Sequence, residues 1–345
     1  MVIIKPPTYL GVVQNNVCLS CIIWKSMTDN FSNGNQNQIP NGEQKPFAIM
    51  QPATAAFIAV IGIFLAYQIG GAILTLLIFG FNFEKADVNS MRLLTMGGQI
   101  LLMLLPTMIF ARFVYPTAIT QMLRVKFPNI KEIGVFLLGF IILLPLLENF
   151  LTIQNFIIEK AAQNSSVIKK ITDALDQVDK MVRDTYGDLL KSHSIMESFL
   201  IIVVVAVVPA VCEEFLFRGF VQKSFEQRFS PFISILITSL FFGLYHFNPY
   251  DLFALIALGF YFGFAARMSD SIFVPMTLHF ANNFITVLAV LILGTDELSK
   301  KSVIGVESIG PALISFSILI VIFFAFIYYV KRNYAKLTFR EGKVL

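Results

Sequence analysis

Long runs of apolar residues, separated by short polar stretches, dominate the chain from residue 55 onward. A run of about 17 or more such residues can form a helix that crosses roughly 30 Å of hydrocarbon. The sequence therefore predicts an all-α polytopic membrane protein with about eight transmembrane helices. The runs lie at residues 55–80, 93–114, 133–156, 197–220, 231–247, 251–268, 272–293 and 310–330.

Only Asn248-Pro249-Tyr250 separates the fifth run from the sixth. The segment 231–268 therefore predicts either two short spans or one broken, re-entrant pair.

A polar segment lies between the third and fourth runs. In residues 160–191, apolar positions recur every three or four residues among mixed charges, which predicts an amphipathic helix outside the membrane. Such a helix caps the bundle, contacts lipid headgroups or presents a solvated, ion-paired face. The mixed charges favour the solvated face.

The ends of the chain differ from its middle. Residues 1–50 lack the apolar core of a signal peptide, and residues 28–46 are rich in Asn, Gln, Gly and Pro, so this tail is predicted to be disordered. Cys18 and Cys21 form a lone Cys-x-x-Cys, which without a second pair does not indicate a metal or redox site. The predicted organisation is a tail (1–50), a transmembrane domain (51–330) and a basic cytoplasmic tail (331–345).

Composition agrees with a membrane protein, because 56% of residues are hydrophobic and only 14% are charged, against about a quarter in soluble domains. The net charge of +4 indicates no nucleic-acid partner, since the basic residues follow membrane topology. Under an eight-helix topology nearly all of them fall on one face outside the 160–191 segment, and the positive-inside rule makes that face, with both termini, cytoplasmic. The residues are Arg112, Arg124, Lys126, Lys131, Lys223, Arg228, Arg267, Lys331, Arg332, Lys336, Arg340 and Lys343.

Ionisable side chains inside spans are costly and mark candidate functional sites. Three motifs carry them: Glu213-Glu214-x-x-x-Arg218 in the fourth run, Phe242-x-x-x-His246 in the fifth and His279-x-x-x-Asn283 in the seventh. The chain has three histidines, and two of them lie in these motifs. Buried ion pairs that only hold the bundle together are the alternative, and for Glu214 with Arg218 the two interpretations weigh about equally.

Helical geometry predicts how these groups meet. Glu214 and Arg218 share a helix face and can pair, whereas Glu213 points about 100° away and is free for general-base work. Glu213 and His246 each lie 16 residues from the turn near 229–230, so both sit about 24 Å from that turn and can be neighbours.

These residue types suit hydrolysis. Glu213 would take a proton from water, His246 would orient that water, and His279 with Asn283 would stabilise the oxyanion. A zinc or other divalent ion held by Glu213, His246 and His279 is the alternative, and the sequence leaves both open.

Other polar or small residues near the motifs carry less information. Cys212 beside the glutamates is predicted to be a buried, non-catalytic thiol. Gly259 and Gly263 predict close helix packing, and Glu148 is a weak candidate for supporting the site.

The three motifs resemble those of the CPBP family of intramembrane proteases, which includes type II CAAX prenyl proteases and bacteriocin-processing or self-immunity proteins. The resemblance covers residues 197–295. It implies that Glu213 and His246 activate water, that His279 and Asn283 bind the oxyanion, and that Glu214 and Arg218 support the catalytic glutamate. It also implies a multi-pass protein of a bacterial plasma membrane.

The leading hypothesis is an intramembrane endopeptidase acting on a membrane-associated or lipid-modified peptide or protein. A non-catalytic scaffold or bacteriocin self-immunity factor is the second, and an ion-coupled transporter, which predicts inverted repeats, is the third. The substrate, its prenylation and the oligomeric state stay open.

Overall fold

A computed structural model describes residues 46–81, 86–294 and 306–338 of the chain. The predictions for the first 45 residues, including Cys18 and Cys21, lie outside these ranges. The regular secondary structure of the described residues is helical and consists of α1 (Pro52–Phe79), α2 (Val88–Val114), α3 (Ile119–Met122), α4 (Ile130–Asn164), α5 (Ser166–Leu190), α6 (Ile195–Glu226), α7 (Pro231–Tyr245), α8 (Leu252–Ser269), α9 (Phe273–Leu293) and α10 (Val306–Thr338).

Seven of these helices are long and apolar enough to cross a membrane: α1, α2, α4, α6, α8, α9 and α10. The protein is therefore an all-α polytopic membrane protein, as predicted. The fifth predicted span corresponds to α7, which has only 15 residues. At 1.5 Å per residue α7 is about 22 Å long, which is less than the hydrocarbon thickness.

Residues 231–268 form two helices joined by a tight turn. Asn248 accepts hydrogen bonds from the backbone N–H groups of Tyr250 and Asp251, both at 3.1 Å, and this folds the chain back on itself. A Cβ atom on Gly243 would lie 2.6 Å from Ile256 Cγ1, so the small residue lets α7 and α8 approach closely. The pair is an antiparallel hairpin.

The sequence sets the helix boundaries through local caps. Asn129 and Glu132 form a capping box at the start of α4, and the Ser165 hydroxyl accepts from Ile168 N–H at the start of α5. Gly80 and Gly294 follow α1 and α9 with φ of 69° and 91°, which glycine adopts at low cost. The predicted amphipathic helix is present as α5.

Two helices contain π-helical segments, which the apolar pattern does not predict. One lies in α2 (Gln99–Leu104) and two lie in α6 (Ile202–Val207 and Phe215–Val221). Such segments are often found at functional sites because they shift the register of side chains and carbonyls. Glu213 and Glu214 immediately precede the second π segment of α6.

Arg124 joins the loop after α3 to α6 and α8 at one end of the bundle. Its guanidinium is 1% exposed, donates to the backbone carbonyls of Arg218 and Ala266, and forms ion pairs with Glu226 and Asp270. We call this end the basic face. Lys223 pairs with the same Asp270 and Arg267 with the same Glu226, so three of the basic residues predicted on one face meet here.

Both ends of the described bundle reach the basic face. The N–H of Ile49, just before α1, donates to the carbonyl of Val114 at the end of α2. Near the end of α10, the carbonyl of Thr338 accepts from the Asn129 side chain at 3.2 Å. The start of α1 and the end of α10 therefore lie on the same side of the bundle.

Candidate active site

A buried triad of charged and polar groups links α6 to α9. Glu214 Oε1 lies 2.7 Å from Arg218 Nη1 and 2.8 Å from His279 Nδ1. Glu214 and Arg218 are fully buried, and His279 is 3% exposed. The predicted pair of Glu214 with Arg218 is present, but the contact with His279 was not predicted.

Arg218 is enclosed by aromatic rings and one backbone carbonyl. Its Cζ lies 4.2 Å from the Phe242 ring centroid and 5.4 Å from that of Phe262, and Nη2 donates to Gly259 O at 3.1 Å. Ring faces attract the guanidinium, and the carboxylate of Glu214 balances its charge. Phe242 of the Phe-x-x-x-His motif therefore packs against the Arg218 cation.

Glu213 faces a different environment from its neighbour. Its carboxylate contributes to the wall of a cavity of about 1380 Å³, and its Oε2 has no hydrogen-bond partner among the described residues. Glu214, one residue on, does not line this cavity. The helical offset of about 100° thus separates a carboxylate held in the buried triad from one that lines the cavity.

His246 lies at the end of α7 and lines the same cavity. Its Nδ1 is 2.8 Å from the carbonyl oxygen of Phe242, which can only accept a hydrogen bond. Nδ1 therefore carries the proton, and Nε2 is left to act toward the cavity. Glu213 and His246, which the sequence predicts as possible neighbours, thus line the same cavity.

The amides of α9 complete this wall. Asn282 Nδ2 donates to Asn283 Oδ1 at 3.1 Å, and Asn283 Nδ2 donates to Val205 O at 3.0 Å. Val205 belongs to the first π segment of α6, so this segment supplies the carbonyl that fixes the Asn283 amide. Both asparagines line the cavity with His279.

The amphipathic helix α5 covers the cavity. Residues from its full length line the space, and Tyr250 of the α7–α8 turn donates its hydroxyl to Asp176 of α5 at 2.5 Å. Tyr186 of α5 lines the cavity, where burial, and then the charge of Glu213, raises the pKa of its hydroxyl. One face of α5 therefore covers the candidate site. This is a second role for the helix, beside the solvated face that the sequence favours.

The structure brings the three candidate metal ligands predicted from the sequence, Glu213, His246 and His279, to one cavity. Within the described ranges, no group of three His, Cys, Asp or Glu side chains is placed to hold a metal ion. His279 and His246 use Nδ1 for Glu214 and the Phe242 carbonyl, which leaves Nε2 of each ring for a ligand. Glu213, His246 and His279 share a cavity without the spacing of a ligand set.

Several cavity residues have no sequence signal of their own. Gln99 of α2 and Tyr186 of α5 lie far from the three motifs in sequence, and only the packing brings them to Glu213. Asn282, which lies off the face shared by His279 and Asn283, reaches the cavity as well. Glu148, the weak candidate for supporting the site, lines the cavity and is exposed.

The fold and the site together define a polytopic membrane protein with a carboxylate and two imidazoles lining one cavity. Residues 195–285 match the family model of type II CAAX prenyl endopeptidase, Rce1-like. This range includes α6, α7, α8 and most of α9, and it is about a quarter of the chain. This region is thus similar to that protease family, which confirms the resemblance that the three motifs indicate.

No curated protein and no solved structure matches the chain.

Proposed function

We propose that the protein is an intramembrane endopeptidase that hydrolyses a peptide bond of a membrane-associated or lipid-modified substrate. The observation that carries the proposal is the Glu213 carboxylate, which faces the cavity with no partner for Oε2 among the described residues. A general base needs a free carboxylate within reach of water, and two imidazoles share its cavity.

In the proposed reaction, Glu213 removes a proton from water while the water oxygen attacks the scissile carbonyl carbon. The Nε2 atom of His246 accepts a hydrogen bond from the same water and fixes its direction. Glu213 then passes the proton to the leaving nitrogen as the C–N bond breaks.

The negative charge that develops on the carbonyl oxygen needs donors. Protonated His279 donates from Nε2 while its Nδ1–H is held by Glu214, which stabilises the imidazolium. The second N–H of the Asn283 amide supplies another donor, because the first is held by Val205. Arg218 holds the Glu214 carboxylate in place.

The proposed orientation follows from the charges at the bundle ends. Positive residues are enriched on the cytoplasmic side, so the basic face and both described ends are assigned to the cytoplasm of a bacterial plasma membrane. The cavity lies toward α5 and the α7–α8 turn, which are at the other end of the bundle. Substrates would then enter from outside the cytoplasm.

The test compares the purified protein with its Glu213→Gln variant on a library of lipid-modified and transmembrane peptides, with new termini identified by mass spectrometry. Loss of a general base is expected to reduce turnover by roughly 10²- to 10⁴-fold. Cys212→Ser is the matched control, because Cys212 is adjacent, buried and absent from the cavity wall.

Equal cleavage by wild type and Glu213→Gln would contradict the glutamate mechanism. If neither folded protein cleaves any peptide, the result would favour a scaffold or self-immunity factor.

A further inference from the structure

Most of the charged residues that line the cavity next to Glu213 are acidic. Six further carboxylates line it, on α4, α5 and the α7–α8 turn: Glu148, Glu159, Asp173, Asp176, Asp179 and Asp251. The described cations of the lining are Lys169 and Arg183. Arg183 forms an ion pair with Asp179 within α5, so its positive charge offsets one of these six carboxylates.

Buried acceptors in the same wall point to a ligand rich in donors. Gln99 is 8% exposed, lines the cavity, and its Oε1 has no partner in the described part of the chain. Asn155 and Glu213 also line the cavity, and the buried atoms Asn155 Oδ1 and Glu213 Oε2 likewise have no partner among the described residues. All three atoms are oxygens, and a buried acceptor without a donor costs free energy until a ligand supplies one.

Lysine and arginine side chains match both features. An ammonium offers three N–H donors and a guanidinium five, neither accepts hydrogen bonds, and both carry positive charge. The cavity volume of about 1380 Å³ exceeds the roughly 300–1000 Å³ of a small-molecule pocket. An extended peptide with basic side chains suits this space better than a single small cation.

We propose that the cavity binds a cationic segment of the peptide substrate, with lysine or arginine side chains placed among the acids of α4, α5 and the α7–α8 turn. This inference rests on the proposed endopeptidase function and names the substrate class of the same site. It adds a source of specificity that the three motifs themselves do not contain.

The first experiment measures binding separately from cleavage. The full-length Glu213→Gln protein in lipid nanodiscs is titrated with a fluorescent octamer of lysine and, in parallel, with the same octamer acetylated on every side chain. Anisotropy should report binding of the lysine peptide, weakened by added salt because charges are screened. The acetylated peptide should bind at least tenfold more weakly.

A pair of charge-neutral variants locates the interaction. Asp173→Asn with Glu148→Gln removes two exposed acids from the cavity wall, and should weaken lysine-octamer binding by about three- to tenfold. Asp184→Asn with Asp188→Asn makes the same change in net charge on exposed parts of α5 outside the wall, and should leave affinity within twofold.

Equal binding of both octamers, or equal loss in both double variants, would overturn the inference. The proposed function can fail independently. Peptides cleaved in a Glu213-dependent way but without basic residues near the cut would reject the cationic segment and keep the protease. Selective binding of the lysine octamer with no cleavage of any basic peptide would keep the cationic site and reject the protease.

Discussion

At the scale of single residues, Glu214 has two partners for one carboxylate oxygen. Oε1 is within hydrogen-bond distance of Arg218 on the same helix and of His279 on α9, and all three side chains are at least 97% buried. Removing the counter-charge of a buried charge destabilises the folded protein strongly. Glu214 therefore acts both on stability and on the position of the His279 imidazole, which the proposed mechanism uses.

Replacing Glu214 by Gln is expected to destabilise the protein by about 3–5 kcal/mol, because the Arg218 guanidinium then stays buried without its counter-ion. Thermal unfolding in detergent measures the change, and turnover should fall as well. Glu213→Gln is the control and should unfold near the wild-type temperature, since Glu213 Oε2 has no described partner to lose. A wild-type melting temperature for Glu214→Gln would contradict this account.

At the scale of helices, Gly259 sets how closely α8 approaches the site. A Cβ atom at Gly259 would lie 2.9 Å from Phe242 Cδ1 and 3.3 Å from Arg218 Nη2. The first distance is too short for a real contact, so Phe242 or the helix would have to move. The Gly-x-x-x-Gly pattern thus serves packing, as its sequence indicates, and the packing supports the Arg218 cation.

Gly259→Ala is expected to cost roughly 1–3 kcal/mol of stability through overpacking, and to reduce turnover by displacing Arg218. Gly134→Ala in α4 is the matched control, because an added Cβ there meets nothing within 4 Å. Alanine is the better helix former, so the control should be neutral or about 0.5–1 kcal/mol more stable. Thermal unfolding of both variants measures the two changes in stability. Equal unfolding midpoints would contradict the steric role of Gly259.

The end of α5 is fixed by a buried arginine of α2. Arg92 is 1% exposed and donates to the backbone carbonyls of Leu189 and Lys191, where α5 ends. Carbonyls at a helix C-terminus have no partner within the helix and carry partial negative charge, so a cation there stabilises the end. Arg92 thereby holds the helix that covers the cavity.

Loss of this cation should free the end of α5. In Arg92→Gln, trypsin is expected to cut after Lys191 several times faster than in wild type, because the surrounding backbone loses its partner. Arg112→Gln at the exposed opposite end of α2 should leave the rate unchanged. Mass spectrometry of timed digests gives both rates, and unchanged cleavage in Arg92→Gln would show that α5 is held by other contacts.

What the sequence predicts at these scales depends on whether the determining contacts are local. Apolar runs and the i, i+4 spacing of Glu214 with Arg218 are local, so the helices and that pair were predicted correctly. The contact of Glu214 with His279 joins positions 65 apart, and the burial of Arg124 depends on α6 and α8. The π segments of α6 also lie within a uniform apolar run, which carries no signal for a change of register.

At the scale of the whole molecule, the basic face and the cavity lie toward opposite ends of the bundle. Arg124, Glu226 and Asp270 meet at one end, while α5 and the α7–α8 turn meet toward the other. Although α7 is short, the α7–α8 hairpin starts and ends at the basic face. The side on which the chain ends therefore does not depend on whether α7 crosses the full membrane.

Orientation can be tested with single cysteines in a chain whose three native cysteines are replaced. Lys180→Cys on exposed α5 should react with a membrane-impermeant maleimide on intact cells, whereas exposed Arg228→Cys at the basic face should react only after permeabilisation. Gel-shift labelling measures both. The reverse pattern would place the cavity on the cytoplasmic side and reject the proposed route of substrate entry.

The Glu214–His279 contact also has a consequence for biosynthesis. A nascent chain that has inserted α6 but not α9 already holds Glu213, yet it lacks His279 and the amide of Asn283. Under the proposed mechanism, such an unfinished chain has its base without an oxyanion site. Activity then starts only when the last helix of the site has been made and packed, so incomplete or misinserted copies do not cleave neighbouring membrane proteins.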